Sequence, residues 1–183
     1  MGLLLALLLI VFAGLGGDQP TPDPPEFISG TISVGDQEFV VPMPQDAEDP
    51  DVQPAGGPCA AVEQTRLPRT DAADIVFVLI PSDCDLQPEK AGNGSYGYYR
   101  TIDDVSGGRL VDTVTTGVGT ATIVDVPYYE CTNSCTDVVI RMALIALNDP
   151  AGSTLQVYQP VIISNGQTQD IDIAGYVGAI IPA

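Results

Sequence analysis

The residues best suited to chemistry in this chain are four cysteines: Cys59, Cys84, Cys131 and Cys135. An even number of cysteines behind an export-like leader predicts disulfide bonds, and four cysteines allow three pairings. We predict the pairs Cys59–Cys84 and Cys131–Cys135, because each closes a local loop beside a strand. The longer of the two loops, closed by Cys59–Cys84, would stabilise the fold by about 3–4 kcal/mol. A four-cysteine zinc site is the alternative, but the spacings lack paired short CxxC-type steps.

Clustered carboxylates are the second feature that could do chemistry. Calcium prefers carboxylate and carbonyl oxygens, and two loop groups have the required composition: Asp46, Glu48, Asp49 and Asp51, and Asp83 with Asp85. Neither group matches the EF-hand pattern, so a solvated acidic loop is the simpler interpretation. Asp103–Asp104, or Asp83 with Asp85, are nominal pairs for glycoside hydrolysis. The sequence lacks tryptophan, a common platform for sugars. We therefore predict no cofactor, with calcium as the one metal that the composition would suit.

Other catalytic arrangements are excluded by residue type. The sequence has no histidine, which removes Ser–His–Asp and Cys–His catalysis and the common zinc sites. Lys90 is the single lysine, and neither GxGxxG nor GxxxxGK[ST] occurs, so nucleotide binding has no support. We predict that the protein is not an enzyme.

Two surface features remain. Asn93 begins the sequon Asn93-Gly94-Ser95, which makes it a candidate glycosylation site. Tyr96, Tyr98 and Tyr99 could form a binding patch with apolar ring faces and wet hydroxyls. Because Tyr98 and Tyr99 are adjacent, at least one of them points inward if this segment is a strand, where core packing is its expected role.

The first 17 residues form an apolar segment without a charged side chain. Its candidate membrane or assembly residues are Leu3, Leu4, Leu5, Leu7, Leu8, Leu9, Ile10, Val11 and Phe12. A helix of this length reaches roughly 25 Å, short of the ~30 Å hydrocarbon core, so a secretory leader fits the length better. The segment resembles the end of a bacterial lipoprotein leader, but Leu15 stands where that leader has its cysteine. Removal by a peptidase and retention as an anchor both stay open.

The segments that follow must position any site. Residues 18–26 contain four prolines and three acidic residues, which favours an extended, semi-rigid spacer. Residues 27–183 are predicted to form one domain, with a long Pro-rich loop over 43–73. Its expected strands include 27–34, with Ile28, Ile32 and Val34 on one face, and 74–80, apolar on both faces and hence central in a sheet.

The rest of the domain also has a strand pattern. Gly117-Val118-Gly119 separates strands over 110–116 and 120–126, and 148–152 is a turn between strands over 138–147 and 154–163. Further strands are expected over 38–41, 96–102, 171–173 and 176–181, with no amphipathic helix. The whole predicts an all-β fold, an antiparallel β-sandwich or jelly roll of about nine strands, preceded by a short apolar helix and the spacer.

Charge limits the partners. The chain carries 24 acidic and six basic residues, for a net charge of −18. This field repels nucleic acid and anionic lipid headgroups, and it suits high salt, where screening removes self-repulsion. A halophilic source and an ordinary exported protein are both consistent with it.

These observations favour a structural protein. We expect a membrane-tethered, virion-type or surface-layer-type subunit with an extracytoplasmic acidic head. Its partners would be the membrane or neighbouring protein subunits, reached through the apolar N-terminus, in a homo- or hetero-oligomer without nucleic acid. The alternative is a secreted or envelope-attached binding module, adhesin-like or carbohydrate-binding, from which the leader has been cleaved.

Overall fold

The computed structural model describes residues 26–54, 62–70, 72–86, 97–131, 135–161 and 169–183, with the backbone alone at 54, 128–131 and 135–138. The described residues are mostly β. The strands are β1 (Phe27–Val34), β2 (Gln37–Pro44), β3 (Asp51–Pro54), β4 (Glu63–Leu67), β5 (Ile75–Ile80), β6 (Arg109–Thr115), β7 (Gly119–Cys131), β8 (Cys135–Leu147), β9 (Thr154–Tyr158) and β10 (Ile181–Pro182). A 3₁₀ helix covers Ile102–Asp104, and one α-helix, α1, covers Ile173–Gly178.

The strands form two antiparallel sheets. The small sheet has the order β1-β2-β10, and the large sheet has the order β3-β4-β5-β9-β8-β7-β6. Tight turns set the register. Gly35 adopts a φ of 64°, which glycine tolerates, and Val34 lies directly opposite Gln37 across the Gly35–Asp36 turn. At the β8–β9 turn, the Asp149 carboxylate accepts from the backbone N–H groups of Gly152 and Ser153, at 2.5 and 3.0 Å.

One core lies between the large sheet and a layer made by the small sheet and α1. Ile32 and Phe39 from the small sheet, Phe77 and Ile145 from the large sheet, and Val177 from α1 are all at most 3 % exposed. This arrangement is a sandwich-like all-β fold. The face that the pattern predicted on β1 is buried at Ile32, whereas Ile28 near the start of the strand is 58 % exposed.

A second core covers the opposite face of the large sheet. Val76, Val124 and Met142 belong to it, together with Tyr99 and Val105 from the segment between β5 and β6. The large sheet is therefore buried on both faces. This explains why β5, the central strand predicted from its apolar run, is buried at all six positions.

Several sequence-based expectations are confirmed and three are wrong. The β6–β7 and β8–β9 hairpins form as predicted. The expected loop over 43–73 instead contains β3 and β4, which pair with each other and then with β5. No strand forms over 97–102, where Tyr98 and Tyr99 lie in irregular backbone. The last predicted strands are largely replaced by α1, whose first turn is capped by the Asp172 carboxylate at 3.2 Å from the Gly175 nitrogen.

Other expectations concern residues outside the described part. The apolar segment 1–17 and most of the spacer 18–26 fall there, as do Cys59 and Asn93. Within the part that is described, no helix has the length and apolar character needed to cross a membrane.

Candidate assembly edge and groove

The two sheets leave four edge strands, and three of them carry features that discourage pairing with another chain. β3 has four residues and ends in Pro54, and β10 has two residues and includes Pro182. β6 exposes Leu110 and Val111, but a bulge between Leu110 and Asp112 breaks its register. β1 is different, because its eight residues include no charge and no proline, and its pairing with β2 is continuous.

Backbone groups of β1 point away from β2 at alternate residues. The Gly35–Asp36 turn makes Val34 and Gln37 a bonded pair, so residues 32, 30 and 28 also bond to β2, whereas 33, 31, 29 and 27 point outward. Two hydrogen bonds are consistent with this alternation. The Gln45 nitrogen donates to the Glu26 carbonyl at 3.1 Å, and the Thr65 hydroxyl donates to the outward Ser33 carbonyl at 2.6 Å.

The remaining outward groups belong to Phe27, Ser29 and Thr31. All three residues are exposed, and no other residue of the described ranges hydrogen-bonds to the backbone of Ser29 or Thr31. The first half of β1 is therefore an open edge, which we call the β1 edge (residues 27–31). Ser33 is excluded from it because Thr65 already occupies its carbonyl.

An apolar groove adjoins the β1 edge where β1 and β2 meet the C-terminal segment. Its volume is about 520 Å³, within the size range of small-ligand sites. Ile28, Val41, Ile171, Tyr176 and Ile181 contribute to its lining. Ile28 and Ile181 are 58 % and 48 % exposed, so the groove opens an apolar patch on an otherwise acidic surface.

Tyr176 forms an inner wall of this groove. Its ring meets Phe27 edge-on, with 5.9 Å between centroids. The residue is 4 % exposed, and its hydroxyl has no hydrogen-bond partner among the described residues. Burial raises the pKa of this hydroxyl well above its usual value, and the nearby Arg69 charge opposes that rise only weakly.

An ion-pair cluster around a buried arginine connects to the segment that forms one side of the groove. The Arg69 side chain is 5 % exposed and bonds the Asp46 carboxylate through Nε, at 3.2 Å, and Nη2, at 3.1 Å. Its Nη1 bonds the Asp170 carboxylate, which also accepts from the Gln159 amide at 2.6 Å. Burial lowers the pKa of Arg69, but its bonds to Asp170 and Asp46 outweigh burial and leave the pKa raised. Arg69 thus joins the end of β2 to the approach to α1.

A second ion-pair cluster crosses three adjacent strands of the large sheet. Asp125 on β7 is 2 % exposed, with Arg109 opposite it on β6 and Arg141 opposite it on β8. The carboxylate accepts from Arg141 Nε at 2.8 Å and from Arg109 Nη2 at 2.5 Å. Burial raises the pKa of Asp125, but the two guanidinium groups outweigh burial and hold it below the usual value.

Four of the six basic residues serve internal contacts. Arg69, Arg109 and Arg141 form ion pairs, and Arg100 donates to the backbone carbonyls of Pro81 and Cys84. Few positive charges are left to offset the acidic side chains at the surface. The net charge of −18 is therefore carried mainly by acidic side chains at the surface.

The predicted carboxylate sites are not assembled. Asp46 bonds Arg69, Asp51 accepts from the Gln53 amide at 2.6 Å, and Asp104 caps the 3₁₀ helix by accepting from the Thr101 nitrogen at 2.8 Å. The other candidates, Glu48, Asp49, Asp83, Asp85 and Asp103, are exposed. Across the described ranges, no three acidic or cysteine side chains come close enough to hold a metal ion. The expectation of no cofactor, with calcium as the one metal that the composition would suit, stays a prediction.

The cysteine and tyrosine predictions have different outcomes. The β7–β8 register places Cys131 directly opposite Cys135, and the backbone spacing of such a pair suits a disulfide. Cys84 is buried at 4 % exposure, but its predicted partner Cys59 lies outside the described residues, and only the backbone is described at Cys131 and Cys135. Both pairings therefore stay predictions. Tyr99 packs in the second core as expected for an inward ring, and its nitrogen donates to the Gln156 side chain at 3.0 Å.

Sequence reasoning missed the β1 edge and the groove. The missing information was strand order, because β1 is an edge only once the sheets are assembled. One signal was available: an eight-residue strand without charge in a strongly acidic chain.

Comparison with known proteins adds no relative to this description. No protein-family model matches the chain, and neither the curated proteins nor the solved structures contain a match.

Proposed function

We propose that this protein is a non-enzymatic structural subunit whose acidic β-sandwich or jelly-roll head assembles with neighbouring subunits. The observation that carries the proposal is the β1 edge, the one edge in the described sheets without a protecting feature. The groove beside it exposes Ile28 and Ile181, which adds apolar surface for a neighbour to cover.

The proposal also covers location. The apolar run Leu3–Phe12 would fix the subunit in a membrane or against a neighbouring protein, and the head would act in an extracytoplasmic setting at a cell surface or in a virion. Phe27, at the start of β1, lies nine residues beyond Asp18, where the Pro-rich spacer begins. A neighbour bound at β1 would therefore sit close to the anchored end of the head.

Sedimentation velocity of the native chain in about 0.1 M and about 1 M salt tests assembly, since the Debye length falls from ~10 Å to ~3 Å between these conditions. We expect a concentration-dependent oligomer whose population increases with salt, because like-charged heads repel each other less when their charges are screened. A chain that stays monomeric in both conditions contradicts the proposal. Intact mass tests the anchor, since a mature protein that begins near Gly17 contradicts a retained apolar segment.

A binding module is the second candidate, favoured by one observation. The groove of about 520 Å³ has apolar walls and could hold a small apolar ligand. Its rim includes Asp170 and Asp172, which disfavour an anionic ligand. Binding of the neutral dye Nile red at low salt by a chain that stays monomeric, abolished by Ile28→Asp, would favour the binding module over assembly.

A further inference from the structure

We infer that the neighbour at the β1 edge is a second copy of the same strand, paired antiparallel about a two-fold axis at Ser29. The inference rests on the proposed assembly function and specifies its partner and register. It would join the small sheets of two molecules into one continuous sheet of six strands, because each contributes β1, β2 and β10.

The open backbone groups are self-complementary. Outward groups occur at Phe27, Ser29 and Thr31, and the next such residue, Ser33, is occupied by Thr65. An antiparallel copy centred on Ser29 places Phe27 opposite the Thr31 of the second copy, and Ser29 opposite itself. Each free N–H and C=O then finds a partner, and no bond is required of Ser33. A two-fold contact of this kind closes on itself and yields a dimer.

Side chains also fit this register. Ile28 would lie opposite Gly30 of the second copy, where no side chain competes for space. A Cβ at Gly30 would stand 1.7 Å from the Met43 sulfur, so the Met43 side chain occupies the space beside this glycine. The exposed Ile28 side chain would thereby lose contact with water against the Gly30 and Met43 of its neighbour.

Charge explains why β1 is the surface that two copies of this acidic chain could share. Residues Phe27–Val34 carry no charge, so the contact brings no carboxylate against another. In the proposed register the two Glu26 residues are six positions apart along the strand, roughly 20 Å, beyond the Debye length at physiological salt. The remaining repulsion between the heads is long-range, and screening by salt would reduce it.

The test compares two proline substitutions in the full chain. Thr31→Pro removes an outward N–H from the β1 edge. Thr113→Pro removes an outward N–H from β6, one that donates to the exposed Asp112 carboxylate at 2.7 Å rather than to β7. Both variants therefore retain their bonds to the neighbouring strand. Sedimentation in about 1 M salt should show dimer formation weakened about tenfold or more by Thr31→Pro, because two intermolecular bonds are lost, and unchanged by Thr113→Pro. Equal effects of the two variants overturn the β1 pairing while leaving self-assembly intact. Absence of any oligomer in the native chain overturns the assembly function itself.

A second measurement tests the same pairing without the Thr31→Pro variant, in case that variant fails to fold. Amide hydrogen exchange of the native chain should show Ser29 and Thr31 protected at high salt and protein concentration, and unprotected in the dilute monomer. Association through another surface would leave these two amides exchanging at the same rate in both states, which contradicts the inference. Thr31→Glu, which retains the N–H but adds a negative charge to each acidic copy at the contact, should also weaken the dimer.

Discussion

Replacing Arg69 with methionine tests how the fold holds the groove in place. The substitution retains an unbranched side chain of similar length and removes the guanidinium that joins Asp46 to Asp170. Both carboxylates then lose a charge-assisted partner. A hydrogen bond to a charged group contributes about 1.5–3 kcal/mol, but Asp46 and Asp170 are 24 % and 38 % exposed and recover part of this from water. We therefore expect Arg69→Met to lower the free energy of unfolding by about 3 kcal/mol.

Urea unfolding at pH 7, followed by circular dichroism, measures this loss. A control lies three residues away. Arg66 is half-buried, its Nε has no hydrogen-bond partner among the described residues, and no ion pair of its side chain occurs among them. Arg66→Met should cost less than about 1 kcal/mol. Arg69→Lys retains the charge and loses the planar fork, so it should fall between the two. The reasoning is refuted if Arg69→Met is no more destabilising than Arg66→Met.

Three further predictions concern the same architecture. Asp125→Asn should destabilise the protein by about 2 kcal/mol at pH 7. The pKa of Asp125 is lowered in the folded state. The stability that its carboxylate contributes is therefore present above pH ~4 and is lost as the pH falls below that value. A difference between variant and native unfolding free energies that did not narrow from pH 7 to pH 3 would contradict this. Tyr176→Phe should leave stability unchanged or raise it by about 1 kcal/mol, since it removes a buried hydroxyl without a described partner; a melting temperature several degrees lower would show that the hydroxyl has one. Ile28→Asp should leave the melting temperature nearly unchanged, because the residue is exposed, but should weaken self-association in sedimentation, and an unaffected oligomer would place the contact elsewhere.

The parts of the fold that could be predicted are those specified by local chemistry. Glycine and Asn-Asp-Pro turns marked the β6–β7 and β8–β9 hairpins, whose strands are neighbours in both chain and space. The doubly apolar run of β5 predicted a central strand for the same reason, since its pattern reflects burial on both faces.

The parts that escaped prediction depend on distant partners. β4 alternates partly buried and buried residues, but it lies among prolines and is stabilised as a strand by pairing with β5. α1 has only six residues, and the Asp172 cap was its one local signal. The β1 edge and Arg69 cluster could not be predicted because strand order and contacts across 101 residues, as between Arg69 and Asp170, are not encoded in any short pattern.

The central claim is that this acidic chain associates with itself through its one uncharged, unprotected strand edge. Sedimentation equilibrium of the native, Thr31→Pro and Thr113→Pro proteins in about 0.1 M and about 1 M salt tests it most directly. The account predicts a dimer that strengthens with salt in the native and Thr113→Pro proteins and that is weakened about tenfold or more in Thr31→Pro. A dimer that weakens with salt, or one that survives Thr31→Pro unchanged, would contradict it.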